Sequence, residues 1–280
     1  MVVTVSNTLT RRAMTALVLV PLVVAAVLWL PTPWFALVLA AVLLVAAREW
    51  CTLMGLDGPV EQGVYLAAIL AVMALLWRWP AALPWLFGIS ALWWGSQAVL
   101  LPRVREVPRV SGAQWSLIVI GVLVLVGPWA ALVYLHRFSE VGPLLVLFLF
   151  LLMWTADSMA FFVGRAWGGG RAKLAPNLSP GKTRVGVYGA MIGALVCALL
   201  FAWVLSFGPL ETLLIVLVCA VSVLISVVGD LYESLLKRRR GLKDSSQLLP
   251  GHGGMLDRID SLTAAAPVFA LGITLIGVSA

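Results

Sequence analysis

Apolar stretches near the length of a bilayer-spanning helix follow one another along almost the whole chain, separated by short polar breaks. Nine spans can be drawn: Ala13–Leu30, Trp34–Ala47, Val64–Trp77, Leu83–Leu101, Trp115–Tyr134, Pro143–Gly164, Val187–Phe207, Pro209–Gly229 and Thr263–Ala280. The pattern predicts an all-α, polytopic membrane protein of about nine transmembrane helices. The second and third spans are short for a hydrocarbon core that takes about 20 helical residues. Either their ends lie further out, or the helices extend into the polar segment between them. Pro31 and Pro33 separate the first pair, and Gly208–Pro209 separates the seventh and eighth. Trp29, Trp34, Trp77, Trp79 and Trp115 fall near span ends, where an amphipathic ring suits the headgroup layer. The first stretch follows Arg11–Arg12 in the manner of a signal sequence, but a second apolar run comes almost at once, so it reads as a retained helix.

Composition excludes the soluble alternative. Of 280 residues, 62% are hydrophobic and 11% charged, against roughly 45–50% and 25% in soluble domains. Cys51, Cys197 and Cys219 lie in or beside apolar runs without disulfide or metal spacing. Charge then orients the helices. With the N-terminus inside, the inside segments hold Arg11, Arg12, Arg48, Arg103, Arg105, Arg109, Arg165, Arg171, Lys173, Lys182 and Arg184. They also hold Lys237, Arg238, Arg239, Arg240, Lys243 and Arg258, making 17 of the 19 basic residues and leaving only Arg78 and Arg137 outside. A bias of that size predicts a multi-pass protein of the cytoplasmic (inner) membrane, with N-terminus and polar site cytoplasmic and C-terminus outside. The net charge of +7 then faces anionic headgroups. Nucleic acid is not an expected partner, because no basic soluble domain is present to grip it.

Three segments carry charge where an apolar bundle resists it. Asp157 lies inside the sixth span, in FLLMWTADSMAFF, with Thr155 and Ser158 beside it. A carboxylate there costs about 2.5–3.5 kcal/mol on lipid, so it is expected to face the bundle interior or a wet cavity. The loop from Gly164 to Gly189 is rich in Gly, Pro and base and lacks a helical apolar period. Its Ser179, Gly181, Lys182 and Thr183 suit a phosphate, although the spacing is not that of a Walker A loop. A basic loop facing headgroups accounts for them almost as well.

The densest segment is Asp230–Asp260, DLYESLLKRRRGLKDSSQLLPGHGGMLDRID. Asp230, Glu233 and Lys237 recur at helical steps, which predicts that the eighth helix continues to Gly241 with these residues on one face. A glycine-rich turn around His252 follows, and Asp257 and Asp260 then stand three residues apart on the next helical turn. Carboxylates converging from Asp157, Asp230, Asp257 and Asp260 are hard oxygen ligands that suit Mg²⁺ together with phosphate oxygens. A zinc site has no cluster, since His136 is placed on the opposite side from His252. Arg239 and Arg240 read as inside anchors. A secondary transporter accounts for the spans and Asp157, but not for this loop, and no paired repeat of broken helices is evident.

Ser234, Lys237–Arg238, Lys243–Asp244, His252–Gly253–Gly254 and Asp257–Arg258–Ile259–Asp260, preceded by Gly229–Asp230–Leu231, resemble the C-terminal signature of the phosphatidate cytidylyltransferases, or CDP-diglyceride synthases. Ala156–Asp157–Ser158 with Ala160, Phe161 and Gly164–Arg165 resembles a second element of that family, and Asn177, Ser179–Pro180 and Lys182–Thr183 a third. The chain departs after Thr183, where Arg184–Val185–Gly186 replaces the usual aromatic residue, glutamate and glycine. The resemblance implies cytidylyl transfer from CTP to phosphatidic acid, giving CDP-diacylglycerol and pyrophosphate in phospholipid biosynthesis. It further implies dependence on Mg²⁺, involvement of K⁺, and a homodimer in the bilayer. On it, Asp230 and Asp257 are expected as metal ligands. Asp157, Lys182, Ser234, Lys237, Arg238, His252, Arg258 and Asp260 are expected as catalytic residues. Residues 1–186 and 187–280 are expected to form one catalytic unit, the second part carrying the 230–260 loop. A CDP-alcohol phosphotransferase shares lipid, metal and carboxylates, but its denser aspartate motif cannot be placed here.

Overall fold

The structure is a computed structural model describing residues 17–169, 173–248 and 253–277. The chain folds as α1 (Leu17–Trp29), α2 (Thr32–Met54), α3 (Pro59–Arg78), α4 (Leu83–Leu100), α5 (Ser116–His136) and α6 (Gly142–Trp167). A hairpin of β1 (Lys173–Ala175) and β2 (Ser179–Thr183) follows, then α7 (Arg184–Val204), α8 (Pro209–Arg239) and α9 (Leu256–Ile276). Each of the nine expected spans corresponds to one helix. Among the described residues seven helices, α2, α3 and α5–α9, are long and apolar enough to cross a membrane. The other two are the short α1 and α4, whose Ser90, Gln97 and three tryptophans dilute its hydropathy.

Prolines in the first turn of α2, α3, α4, α6 and α8 start these helices where no backbone N–H is needed. The short second and third spans are resolved by extension: α2 runs on to Met54, and α3 begins at Pro59. Helix α9 starts at Leu256 rather than near Thr263, which places Asp257 and Asp260 inside its first turns. The segment after α6 is not a loop throughout. It forms an antiparallel hairpin pairing Lys173 with Thr183 and Ala175 with Ser179.

Helix α9 is the packing centre, lying against α8, α5 and α4 with Ala264, Ala265, Ala266, Phe269, Ala270 and Ile273 fully buried. Small residues set the approach of the helices that carry the polar groups. A Cβ on Gly229 would stand 2.6 Å from the Asp260 carbonyl oxygen, so only glycine lets α8 and α9 meet at that level. On α7, a Cβ on Gly189 would stand 2.6 Å from the Val163 side chain, and Gly186 and Gly193 lie on the same stripe against α6. This small-residue packing is how membrane helices gain close contact without a hydrophobic driving force between them.

The basic segments gather at one end. There the Arg240 guanidinium donates to the carbonyls of Leu53 (2.9 Å), Val110 (3.1 Å) and Gly112 (2.7 Å). Asn177 in the hairpin turn donates to the Arg105 carbonyl at 2.5 Å. At the other end, His136 is fixed by Thr32 Oγ1 and the Val27 carbonyl, each at 2.9 Å, and Arg137 lies 4.7 Å over the Trp77 ring. His136 is thus a structural residue remote from the polar segments. Arg240 is more than a charged anchor, because its planar fork ties α8 to the end of α2 and to the α4–α5 connection.

Arg240→Ala is therefore expected to lower stability by about 1.5–3 kcal/mol, the scale of hydrogen bonds from a charged group. Arg240→Lys should recover little of it, since one ammonium does not reproduce the guanidinium's fixed fork. Denaturant unfolding in detergent micelles measures both.

Candidate active site

The last turns of α8, the first turns of α9, the hairpin and α6 bring the charged residues together as two adjoining groups. Asp230 stands at the edge of the first, the more open one. It forms an ion pair with Lys182 of β2, and these side chains are 29% and 25% exposed, respectively. Ser234, one turn further along α8, donates to Asp230 Oδ1 at 3.4 Å. Asp157 of α6 is exposed and feels the charges of Lys182, Asp230 and Arg258. Asp260 of α9 feels those of Asp230, Lys182 and Asp157. Its Oδ1 accepts the Ser261 N–H at 2.6 Å, and its carbonyl accepts the Thr263 hydroxyl at 2.6 Å.

Lys182 reaches this position because the hairpin is anchored on both sides. Thr183, buried, caps α7 by accepting the Gly186 N–H at 3.0 Å. Pro180 and Gly181 face outward while Lys182 turns inward. The glycine stripe of α7 holds α6 close, which carries Asp157 to the same face.

The second group is closed. Lys237 lies between Glu233 Oε1 at 3.0 Å and Asp257 Oδ1 at 2.5 Å, with all three side chains between 4% and 11% exposed. Asp257 Oδ2 accepts the backbone N–H groups of Ser245 (2.9 Å) and Gly254 (2.8 Å), and it shares the one Ser245 hydroxyl proton (2.9 Å) with Glu49. Glu49 of α2, 6% exposed, joins the same loop. Its Oε1 accepts Ser246 Oγ (2.6 Å) and the Met255 N–H (2.9 Å), and its Oε2 accepts Ser245 Oγ (2.8 Å) and the Leu256 N–H (2.7 Å).

The structure thus brings Asp157, Lys182, Asp230, Ser234, Arg258 and Asp260 to one face. It assigns Lys237 and Asp257 to the closed group beside it. Asp230 and Asp257, expected together as metal ligands, stand in adjoining groups: Asp230 pairs with Lys182, and Asp257 with Lys237, Ser245 and Gly254. Arg238 donates across the turn ending α8 to the Leu242 carbonyl at 3.2 Å. His252 lies outside the described residues. Glu49, Ser245 and Ser246 were not among the expected site residues. Glu49 had one signal in the sequence, a carboxylate directly following the second apolar run, next to Arg48.

Among the described residues, no group of three or more His, Cys, Asp or Glu side chains stands together as a metal cluster. Magnesium does not require one, since it commonly takes one or two carboxylates and completes its shell with water and phosphate oxygens. Asp157, Asp230 and Asp260, with Lys182 and Arg258 on the same face, offer carboxylate oxygen donors. That chemistry fits such an ion.

The sequence model for the Cytidylyltransferase family matches residues 10–276. The phosphatidate cytidylyltransferase of Pseudomonas aeruginosa is 39% identical over 262 residues, covering 94% of this chain and 96% of that protein. That of Haemophilus influenzae is 38% identical, covering 94% of this chain and 97% of its own. That of Brucella suis is 47% identical over 131 residues, 45% of each chain.

The closed group is expected to depend on its single cation. Lys237→Met leaves Glu233 and Asp257 facing one another without a counter-charge and should destabilise by about 3–5 kcal/mol. Adding Glu233→Gln removes one of the two stranded charges and should recover part of that loss, read from unfolding midpoints of the single and double variants.

Proposed function

The chain belongs to the cytidylyltransferase family, and from that membership we propose that it transfers a cytidylyl group from CTP to phosphatidic acid, giving CDP-diacylglycerol and pyrophosphate. Its similarity to phosphatidate cytidylyltransferases extends over 94% of the chain. The observation that carries the reading is the meeting of Asp157, Lys182, Asp230 and Asp260, from four separate elements, at the end of the bundle where basic residues collect.

The chemistry asks for alignment and charge control rather than an activated side chain. The phosphate monoester of phosphatidic acid is already a nucleophile. Its oxygen attacks the α-phosphorus of CTP, forming one P–O bond, while the bond to the bridging oxygen breaks and pyrophosphate leaves. Two polyanions must approach, and cationic groups aimed at the developing charge lower that barrier. Lys182, held by Asp230, is placed to exchange that carboxylate for a phosphate oxygen. Arg258, exposed beside Asp157, adds a second cation at the same face. Asp230, with Asp260 and Asp157, would hold magnesium, which when bound neutralises phosphate charge and orients the reacting groups. Lys237 and Asp257 position the face from behind. Arg238 remains assigned from the signature alone as a phosphate contact, and His252 either as a phosphate contact or as a residue that shapes the glycine turn. The resemblance also supports K⁺ in the metal centre and a homodimer in the bilayer.

The orientation follows from the sorting of charge, with the site and N-terminus cytoplasmic in the inner membrane and the C-terminus outside. The three native cysteines are buried, so single cysteines can be introduced on a cysteine-free background. Lys243→Cys should react with an impermeant thiol reagent only after cells are opened, and Arg78→Cys before. The reverse pattern overturns the orientation.

Purified protein in mixed micelles should convert phosphatidate and labelled CTP to a lipid-soluble CDP product with equal pyrophosphate. Chelation of divalent cations should abolish the reaction. Asp230→Asn should lower kcat by about 10²–10³-fold, the scale of one lost electrostatic group at a reacting phosphate. Formation of phospholipid and CMP from CDP-diacylglycerol and an alcohol would instead identify a phosphotransferase.

A further inference from the structure

We infer that Glu49 of α2 is a positioning residue for the transfer reaction: its carboxylate caps α9 from a distant helix and so fixes the placement of Asp257 and Asp260. The inference rests on the function proposed above for the neighbouring face.

Four observations carry it. Glu49 is 6% exposed, and each of its oxygens accepts two hydrogen bonds. None of the donors is a cation, so the charge is matched entirely by N–H and O–H groups. Two of them are the backbone N–H groups of Met255 and Leu256, which open α9 and have no partner inside that helix. The N-terminal end of a helix carries partial positive charge, and a carboxylate there is favoured. Asp257 itself reaches back to the Gly254 N–H, so the start of α9 is held by one carboxylate of its own and one from α2.

The remaining two donors, Ser245 and Ser246, belong to the segment joining α8 to α9. Ser245 Oγ lies 2.8 Å from Glu49 and 2.9 Å from Asp257, so its single proton is shared between the two carboxylates. Glu49 thereby locks three pieces to one another: the end of α2, the connection after α8, and the first turn of α9. Asp260 lies one turn beyond Asp257, on the helix whose start is locked. A Cβ built on Gly254 would stand 2.5 Å from Glu49 Oε2, so the loop closes directly onto the carboxylate.

The distribution of donors makes a sharp variant available. Each oxygen of Glu49 takes one backbone N–H and one hydroxyl. The serine hydroxyls can rotate to accept from an amide, but a backbone N–H cannot. In Glu49→Gln one backbone N–H must therefore face the NH₂ group whichever way the amide is turned. The change is isosteric, so it tests the hydrogen bonds rather than the packing.

In full-length protein, Glu49→Gln should lower kcat by about 10–100-fold while KM for CTP and phosphatidate changes by less than about threefold, as expected for lost alignment. Hydrogen exchange at the Met255 and Leu256 amides should quicken in the same sample. Ser245→Ala with Ser246→Ala keeps the carboxylate and both backbone bonds. That pair should show a smaller fall in kcat, about 3–10-fold, on the scale of neutral hydrogen bonds, and it serves if Glu49→Gln fails to accumulate. Unchanged exchange in Glu49→Gln overturns the cap, and quickened exchange with wild-type kcat overturns the positioning role. If the parent protein makes no CDP-lipid, the function proposed above fails, whereas the exchange measurement still decides whether Glu49 caps α9.

Discussion

A charged group packed among apolar helices must be given donors or a counter-charge, and at the end of this bundle that requirement decides which elements touch. Glu49, Glu233, Lys237 and Asp257 are all largely removed from solvent, and each is matched differently. Asp257 takes one cation and three N–H or O–H contacts. Glu49 takes four neutral donors, and Glu233 relies on Lys237. No one helix supplies these partners. Satisfying the set requires the end of α2, the end of α8, the connection after it and the beginning of α9 in one mutual arrangement. A bundle held only by apolar contacts would leave those helices freer to slide. Buried polar groups that lose everything when misplaced define the register instead.

The open group depends on that arrangement. Asp157, Lys182, Asp230 and Asp260 come from α6, the hairpin, α8 and α9, and their meeting requires close helix contacts as well as correct register. Gly229 allows α9 to lie against α8 at the level of Asp260. The glycine stripe of α7 does the same for α6, and Thr183 ties the hairpin to the start of α7. Charge neutralisation inside the closed group also matters to its neighbour. Lys237 is engaged by Glu233 and Asp257, so the cation nearest to Asp230 in the contacts is Lys182, on a small hairpin rather than a long helix. The two groups thus divide the work: one is buried, paired through Lys237 and hydrogen-bonded through Asp257 and Glu49, and fixes the frame, while the other presents carboxylates and cations that are still accessible.

The helical architecture was legible because it follows from one physical rule. Backbone polar groups in hydrocarbon are satisfied within a helix, so each long apolar stretch announces one. All nine stretches became helices, and the proline and glycine breaks fell where the connections are. The continuation of α8 beyond its apolar part was legible too, since Asp230, Glu233 and Lys237 keep helical spacing, and Gly241 has a positive φ just past its end. Charge sorting along the chain agrees with the gathering of basic segments at one end. The residue types of the site were readable for the same reason: carboxylates and cations are costly near the membrane and rare in this composition.

Which of those residues belong together was a matter for the tertiary structure. Spacing placed Asp257 and Asp260 on nearly one helical face, yet a rotation of less than a quarter turn sends Asp257 to Lys237 and Ser245 and leaves Asp260 toward Asp230. The hairpin carried no apolar period, because its strands are held by anchors at both ends and by one inward lysine rather than by a buried face. Glu49 looked like the end of an apolar run, and Arg240 like a generic anchor. Each owes its role to partners more than a hundred residues away. The sequence by itself determined that the chain is a set of apolar helices and that carboxylates and cations sit at their ends, since those properties follow from local hydrophobicity and the cost of charge. Only the packed bundle decided which carboxylate is hydrogen-bonded into the frame and which stays open, because that depends on which donors the other helices bring within about 3 Å.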